Sequence, residues 1–164
     1  MTKIYGINLQ WGKQILIACE AKGLQRKIYT DYIFLWLLLT PVPIWLFIYF
    51  QTGIVALLDT WILLQVILFY PVIEEIIFRG FLQSWIAQRW TQTLFKISLA
   101  NLITSGIFAL LHLFEHSALW ALATFIPSLI FGYSQERYNS LIAPIILHTT
   151  YNAGYFLIGA TLIN

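Results

Sequence analysis

The sequence predicts an all-α, polytopic membrane helical bundle of about five transmembrane helices. Three observations carry this. The 164-residue chain is 60% hydrophobic and 10% charged, with a mean hydropathy of +0.78, whereas soluble domains average about 45–50% apolar and about 25% charged residues. The few charges leave long uncharged gaps. Lys and Arg fall in alternate connections between those gaps. A soluble fold of this size has too much surface for its volume to hide so much apolar area. This excludes soluble enzymes and nucleic-acid binders, and leaves the lipid bilayer as the first partner. The net charge of +2 is too small to suggest a polyanion. Cys19 is the sole cysteine, so no internal disulfide forms.

A helix needs about 20 apolar residues to cross about 30 Å of hydrocarbon. The gap between Asp31 and Asp59 holds a first span, at residues 32–50. A second starts near Thr60 and runs into Glu74 and Glu75. The mixed stretch 80–93 reads as an interfacial helix or as the end of a long second one. Further spans are expected at 97–114, 118–133 and 141–163. Lys3, Lys13, Lys22, Arg26 and Lys27 precede the first span; Arg79, Arg89 and Lys96 follow the second, and Arg137 the fourth. With five crossings all nine lie on one side. The positive-inside rule then puts the N-terminus in the cytoplasm of a multi-pass cell-membrane protein. Residues 1–27 are charged throughout and lack a long apolar core, so they read as a basic cytoplasmic lead-in, not a cleavable signal. Residues 28–164 form one membrane domain.

Ionisable groups inside a bilayer cost at least ~2.5–3.5 kcal/mol each and need a reason. Those here are Glu74, Glu75, Arg79, His112 and His148, with Asn152 one turn after His148. Glu75 and Arg79 are four apart, share a helical face and pair in the favourable order. Glu74 points about 100° away and has no cation in its own helix. A membrane histidine is often only an interhelical hydrogen-bond partner, and Glu with His also suits a proton relay in a transporter. The whole set has more to offer. A free Glu, a His and a His/Asn pair suffice to activate a water and hold an oxyanion.

Glu74-Glu75-x-x-x-Arg79, then Phe108-x-x-x-His112, then His148-x-x-x-Asn152, in this order on successive helices, resemble the CPBP family. These are intramembrane proteases related to the Rce1-type CAAX prenyl endopeptidase, also called the Abi family. The match covers about residues 71–154. The resemblance implies a transmembrane protease domain acting as an endopeptidase on a membrane-associated protein or peptide. Glu74 would activate water with His112, His148 and Asn152 would stabilise the oxyanion, and Glu75 and Arg79 would support the site. No covalent intermediate and no cofactor are implied. Processing of C-terminal sorting signals and bacteriocin self-immunity are both family-level expectations. The rival is a non-catalytic binding or immunity protein on the same fold. The joint presence of Glu74, His112, His148 and Asn152 weighs against it. A transporter is disfavoured by the absence of an internal repeat.

A zinc reading competes. His112-Leu-Phe-Glu115-His116 matches the H-x-x-E-H pattern of inverted zinc peptidases. The third ligand would have to come from elsewhere, and Glu136 lies at the opposite membrane face by this topology. Glu115 and His116 read more simply as a solvated turn, and no metal ligand is assigned. Depth poses a further question. Straight helices place His148 and His112 at different levels, so Pro71, Gly106 and Pro144 are candidate break points.

Overall fold

The computed structural model describes residues 28–52 and 59–158. The basic segment 1–27, Cys19, most of the connection after the first span and the end of the expected fifth span lie outside the described residues. Helix α1 begins after Asp31, whose Oδ1 accepts from the Ile33 N–H at 2.8 Å. Such a cap is worth about 1 kcal/mol. The helix comprises Tyr32–Leu39 and Val42–Thr52, with the interruption at Thr40 and Pro41. Pro41 has no N–H for the Leu37 carbonyl, the usual partner four residues back. The Tyr151 hydroxyl donates to that carbonyl instead, at 2.6 Å.

Helix α2 runs unbroken over Thr60–Ala87 and starts at an Asp59 cap. This settles the mixed stretch, most of which is the end of a long second helix. Two wider, π-helical stretches lie within it, at Gln65–Phe69 and Ile76–Gln83. They flank the segment that carries Pro71, Glu74 and Glu75. A short antiparallel pair follows, β1 (Thr93–Leu94) and β2 (Ile97–Ser98), in register Thr93↔Ser98 and Leu94↔Ile97. It is a small β addition to the otherwise helical fold that the sequence predicts.

Helix α3 is Leu99–His112, capped by Ser98 Oγ on the Asn101 N–H at 2.9 Å. Its 14 residues span about 21 Å at ~1.5 Å per residue, short of the hydrocarbon thickness. Helices α4 (Ala118–Ala123) and α5 (Phe125–Tyr138) are separated by Thr124 alone. The α5 helix extends past the expected end at Tyr133 and closes on Asn139 in the left-handed region, φ 47°, which Asn tolerates. Helix α6 is Ile142–Ile158. Two helices, Tyr32–Gln51 and Thr60–Ala87, are long and apolar enough to cross a membrane. Their side chains face outward: Trp36, Phe47, Phe50, Trp61, Ile73 and Ile77 are all exposed, as lipid-facing positions require.

Helix α5 packs between α3 and α6 and sits against α2. Two α2 side chains one turn apart meet two α5 carbonyls one turn apart. Arg79 Nη2 donates to Ser128 O at 2.8 Å, and Gln83 Nε2 to Gly132 O at 3.2 Å. Asn101 on α3 adds a bond from Nδ2 to Leu129 O at 3.0 Å. Gly132 permits this crossing, since a Cβ there would lie 2.0 Å from Asn101 Oδ1. On the other side of the bundle, a Cβ on Gly154 would lie 2.1 Å from the Trp45 ring, so α1 and α6 touch there. The apolar core comprises Ile28, Phe34, Phe131, Tyr138, Ala143 and Leu147.

Candidate active site

His148 on α6 is the centre of the site. Its two ring nitrogens face two carboxylates from consecutive α2 residues. Nδ1 lies 2.8 Å from Glu75 Oε1, and Nε2 lies 3.6 Å from Glu74 Oε2. A carboxylate accepts, so the Nδ1 position carries the hydrogen, and the ring's orientation is fixed from behind. The Nε2–Glu74 separation is too long for a direct hydrogen bond.

Glu75 and Arg79 are fully buried, and Arg79 Nε lies 3.3 Å from Glu75 Oε2, the i, i+4 ion pair the spacing predicts. The guanidinium is held on its other side by Ser128, through Nη2 to Oγ at 2.6 Å and to the carbonyl. Its remaining faces meet rings, with Phe108 at 5.1 Å and Phe131 at 5.7 Å from Cζ. Phe131 also stacks on His148 at 4.6 Å. Glu74 has no ion-pair partner in its own helix among the described residues, and finds His148 across the bundle. Its side chain is 31% exposed against 0% for Glu75. Of two adjacent carboxylates, one is locked in and the other is open.

His112 ends α3. Its Nδ1–H donates to Phe108 O at 2.8 Å, leaving Nε2 as the ring's acceptor. The Phe108 ring meets both histidines, His112 at 4.5 Å and His148 at 6.0 Å between centroids. Phe108 thus links α3 to α6, and no break at Gly106 interrupts α3, which is continuous through it. Pro144 breaks nothing either. It lies in the first turn of α6, where a missing N–H costs no bond.

Asn152 is less free than its sequence position suggests. Its Nδ2 donates to Val66 O at 2.7 Å, which occupies one amide hydrogen and leaves the other. In the turn just before Pro71, Tyr70 N–H bonds Gln65 O five residues back. The next rung would run from residue 71 to Val66, and Pro71 has no N–H. Asn152 fills that gap.

In the H-x-x-E-H stretch the His116 N–H bonds the His112 carbonyl at 3.0 Å, and the two imidazole rings stack with centroids 6.1 Å apart. His112 closes α3, and residues 113–116 form the turn after it. Glu115 is exposed, and the His116 ring packs on Trp120 at 3.9 Å. Among the described residues no three His, Cys, Asp or Glu side chains gather around a point that could hold a metal ion. Glu74 and Glu75 approach opposite nitrogens of His148, so these three share no such point.

Sequence reasoning passes over Ser128, Phe108 as a ring platform, and Phe131. The available signal for Ser128 was a hydroxyl beside Pro127 in an apolar run, since such groups bond across membrane helices. For the rings there was none in a chain so rich in aromatics.

A family model described as Type II CAAX prenyl endopeptidase Rce1-like matches residues 55–154, more than half of the chain. No curated protein and no solved structure matches it. The matched stretch contains Glu74, Glu75, Arg79, His112, His148 and Asn152. This chain is a membrane protein that belongs to the Rce1-like CAAX prenyl endopeptidase family, a family of proteases.

Proposed function

We propose that the protein is a multi-pass intramembrane endopeptidase with a cytoplasmic N-terminus, cleaving a membrane-associated protein or peptide near its C-terminus. Glu74 takes a proton from a water as the water oxygen attacks the scissile carbonyl. His112 shares that water through Nε2. In the form that carries a proton on both ring nitrogens, with Glu75 offsetting the charge, His148 donates Nε2–H to the oxyanion, beside the second amide hydrogen of Asn152. On collapse, protonated Glu74 gives its proton to the leaving amine. The scheme uses no metal ion and no covalent intermediate. One observation supports it above the rest: His148 lies between a locked carboxylate, Glu75, and an open one, Glu74, at 2.8 and 3.6 Å. That arrangement orients a histidine while leaving a base beside it.

The test uses protein reconstituted in nanodiscs, with a farnesylated peptide ending in a CAAX sequence and its unprenylated counterpart as probes. Mass spectrometry reads the products. Glu74→Gln is nearly isosteric and cannot accept the proton, so cleavage should fall by about 10²–10⁴, the usual contribution of a general base. Its melting temperature should stay close to wild type. A fully active Glu74→Gln variant overturns the mechanism. Comparing uncut membrane-protein C-termini with and without the gene then identifies the natural substrate.

A further inference from the structure

We propose that Ser128 is a positioning residue for His148, acting through Arg79 and Glu75. The proposal deepens the protease reading and rests on it for its catalytic consequence, although the geometry itself is independent of it. Four buried groups form a single line. Ser128 Oγ and O hold Arg79 Nη2 at 2.6 and 2.8 Å; Arg79 Nε faces Glu75 Oε2 at 3.3 Å; Glu75 Oε1 accepts from His148 Nδ1 at 2.8 Å. Ser128, Arg79 and Glu75 are 0% exposed and His148 is 5% exposed. Burial shields these bonds from bulk solvent, so each link fixes the next.

The weak point of this line is the guanidinium. Among the described residues, Arg79 Nη1 has no hydrogen-bond acceptor, and Nε meets Glu75 without hydrogen-bond alignment. Phe108 and Phe131 flank the group but set no in-plane direction. The in-plane direction comes from Ser128, which grips one nitrogen with two oxygens. Removing Oγ leaves the carbonyl contact, so the fold keeps its crossing of α2 and α5. The guanidinium then turns about one remaining bond. Glu75 loses its fixed partner geometry, and His148 Nε2 is no longer aimed at the space beside Glu74.

Two readouts test this, one independent of proteolysis. The chain has three histidines, so ¹⁵N-histidine-labelled protein in nanodiscs gives few signals, and His148→Gln assigns the one from His148. Its hydrogen-bonded Nδ1–H proton should be sharp and slow to exchange in wild type and in Ser128→Thr, which restores a hydroxyl. It should broaden or vanish in Ser128→Ala. Ser134→Ala, on the same helix and with its hydroxyl donating to Phe131 O, should leave it unchanged. With the farnesylated peptide, Ser128→Ala should lower kcat about tenfold with KM unchanged, and Ser128→Thr should recover it. An unaltered Nδ1–H signal in Ser128→Ala overturns the positioning role. An altered signal in a protein whose wild type cuts neither peptide upholds it and overturns the protease reading alone.

Discussion

Asn152 donates its side-chain amide to the carbonyl of Val66, the carbonyl that Pro71 cannot serve. Its neighbour Tyr151 does the same for Leu37 and Pro41 in α1. Two consecutive α6 residues thus repair proline gaps in two different helices. In a bilayer a bare carbonyl costs several kcal/mol, so helices with proline need such partners. The repair has a functional consequence. Pro71 and the wide turn before it lead straight into Glu74 and Glu75, so the bond that closes the gap also ties the carboxylates to His148, one turn from Asn152.

Asn152 therefore has two separable roles. Asn152→Ala should lower activity by about 10²–10³, the size of one lost oxyanion donor. It should also lower the melting temperature, because Val66 O is stranded at a cost of about 1–3 kcal/mol. Pro71→Ala restores an N–H at that rung. The double variant Pro71→Ala/Asn152→Ala should regain stability while activity stays low. Full recovery of cleavage in the double variant would reduce Asn152 to a purely structural role.

Much of the site was legible because it is local. Glu75 and Arg79 pair at i, i+4, and the periodicity of one helix is enough to say so. That Glu74 points elsewhere follows from the same geometry. The partner it finds, His148, is 74 positions later and is chosen by helix packing, which no local pattern encodes. The π-helical turns of α2 have no signature beyond Pro71, and the sequence leaves open whether the stretch 80–93 continues the helix or starts a new one. The β pair escapes notice because its turn residues, Phe95 and Lys96, have φ of 49° and 69° without being glycine or asparagine. The short α3 was hidden by the apolar residues that flank it on both sides.

The Glu75–Arg79 pair should matter to stability as well as to chemistry. Breaking a buried pair by removing one member costs about 3–5 kcal/mol, since the other charge stays in a dry site. Arg79→Ala and Glu75→Gln should each lower the melting temperature in detergent and the rate of cleavage. Glu75→Gln should be the milder, because the amide oxygen still accepts from His148. Unchanged melting for both variants would remove the ion pair from the account.

At the bundle end, Arg137 Nη2 lies 2.8 Å from Asp31 Oδ2 and ties α5 to the start of α1. Partial burial pushes the Asp31 carboxyl up, but the bonds from Arg137 and the Ile33 N–H outweigh it and hold it below its ordinary 3.8. A lowered carboxylate stabilises the fold above the unfolded value and loses that contribution as pH falls through the folded one. Asp31→Asn keeps a good cap and removes the charge. It should cost at most about 1 kcal/mol at neutral pH, as for a partly exposed pair. The gap in melting temperature should close as pH drops below 3.8. A gap that persists there would assign the effect to something other than the ion pair.

The last prediction separates a carboxylate-and-histidine mechanism from a zinc one. Under the proposed scheme Glu115 and His116 stand outside the chemistry. Glu115 is exposed in the turn after α3, and His116 serves as a ring on Trp120. Glu115→Ala should leave cleavage near wild type. His116→Ala removes a stacking contact worth about 0.5–1.5 kcal/mol, so it should soften stability while cleavage persists. Under the H-x-x-E-H scheme His116 is a ligand and Glu115 the base, and Asn152 is a bystander. Both variants would then be inactive, zinc content would fall in His116→Ala, and chelators would stop cleavage by wild type. Activity and metal content measured on the same preparations decide between the two. Inactive Glu115→Ala and His116→Ala beside a fully active Asn152→Ala would move the reaction centre from α2 and α6 to the end of α3.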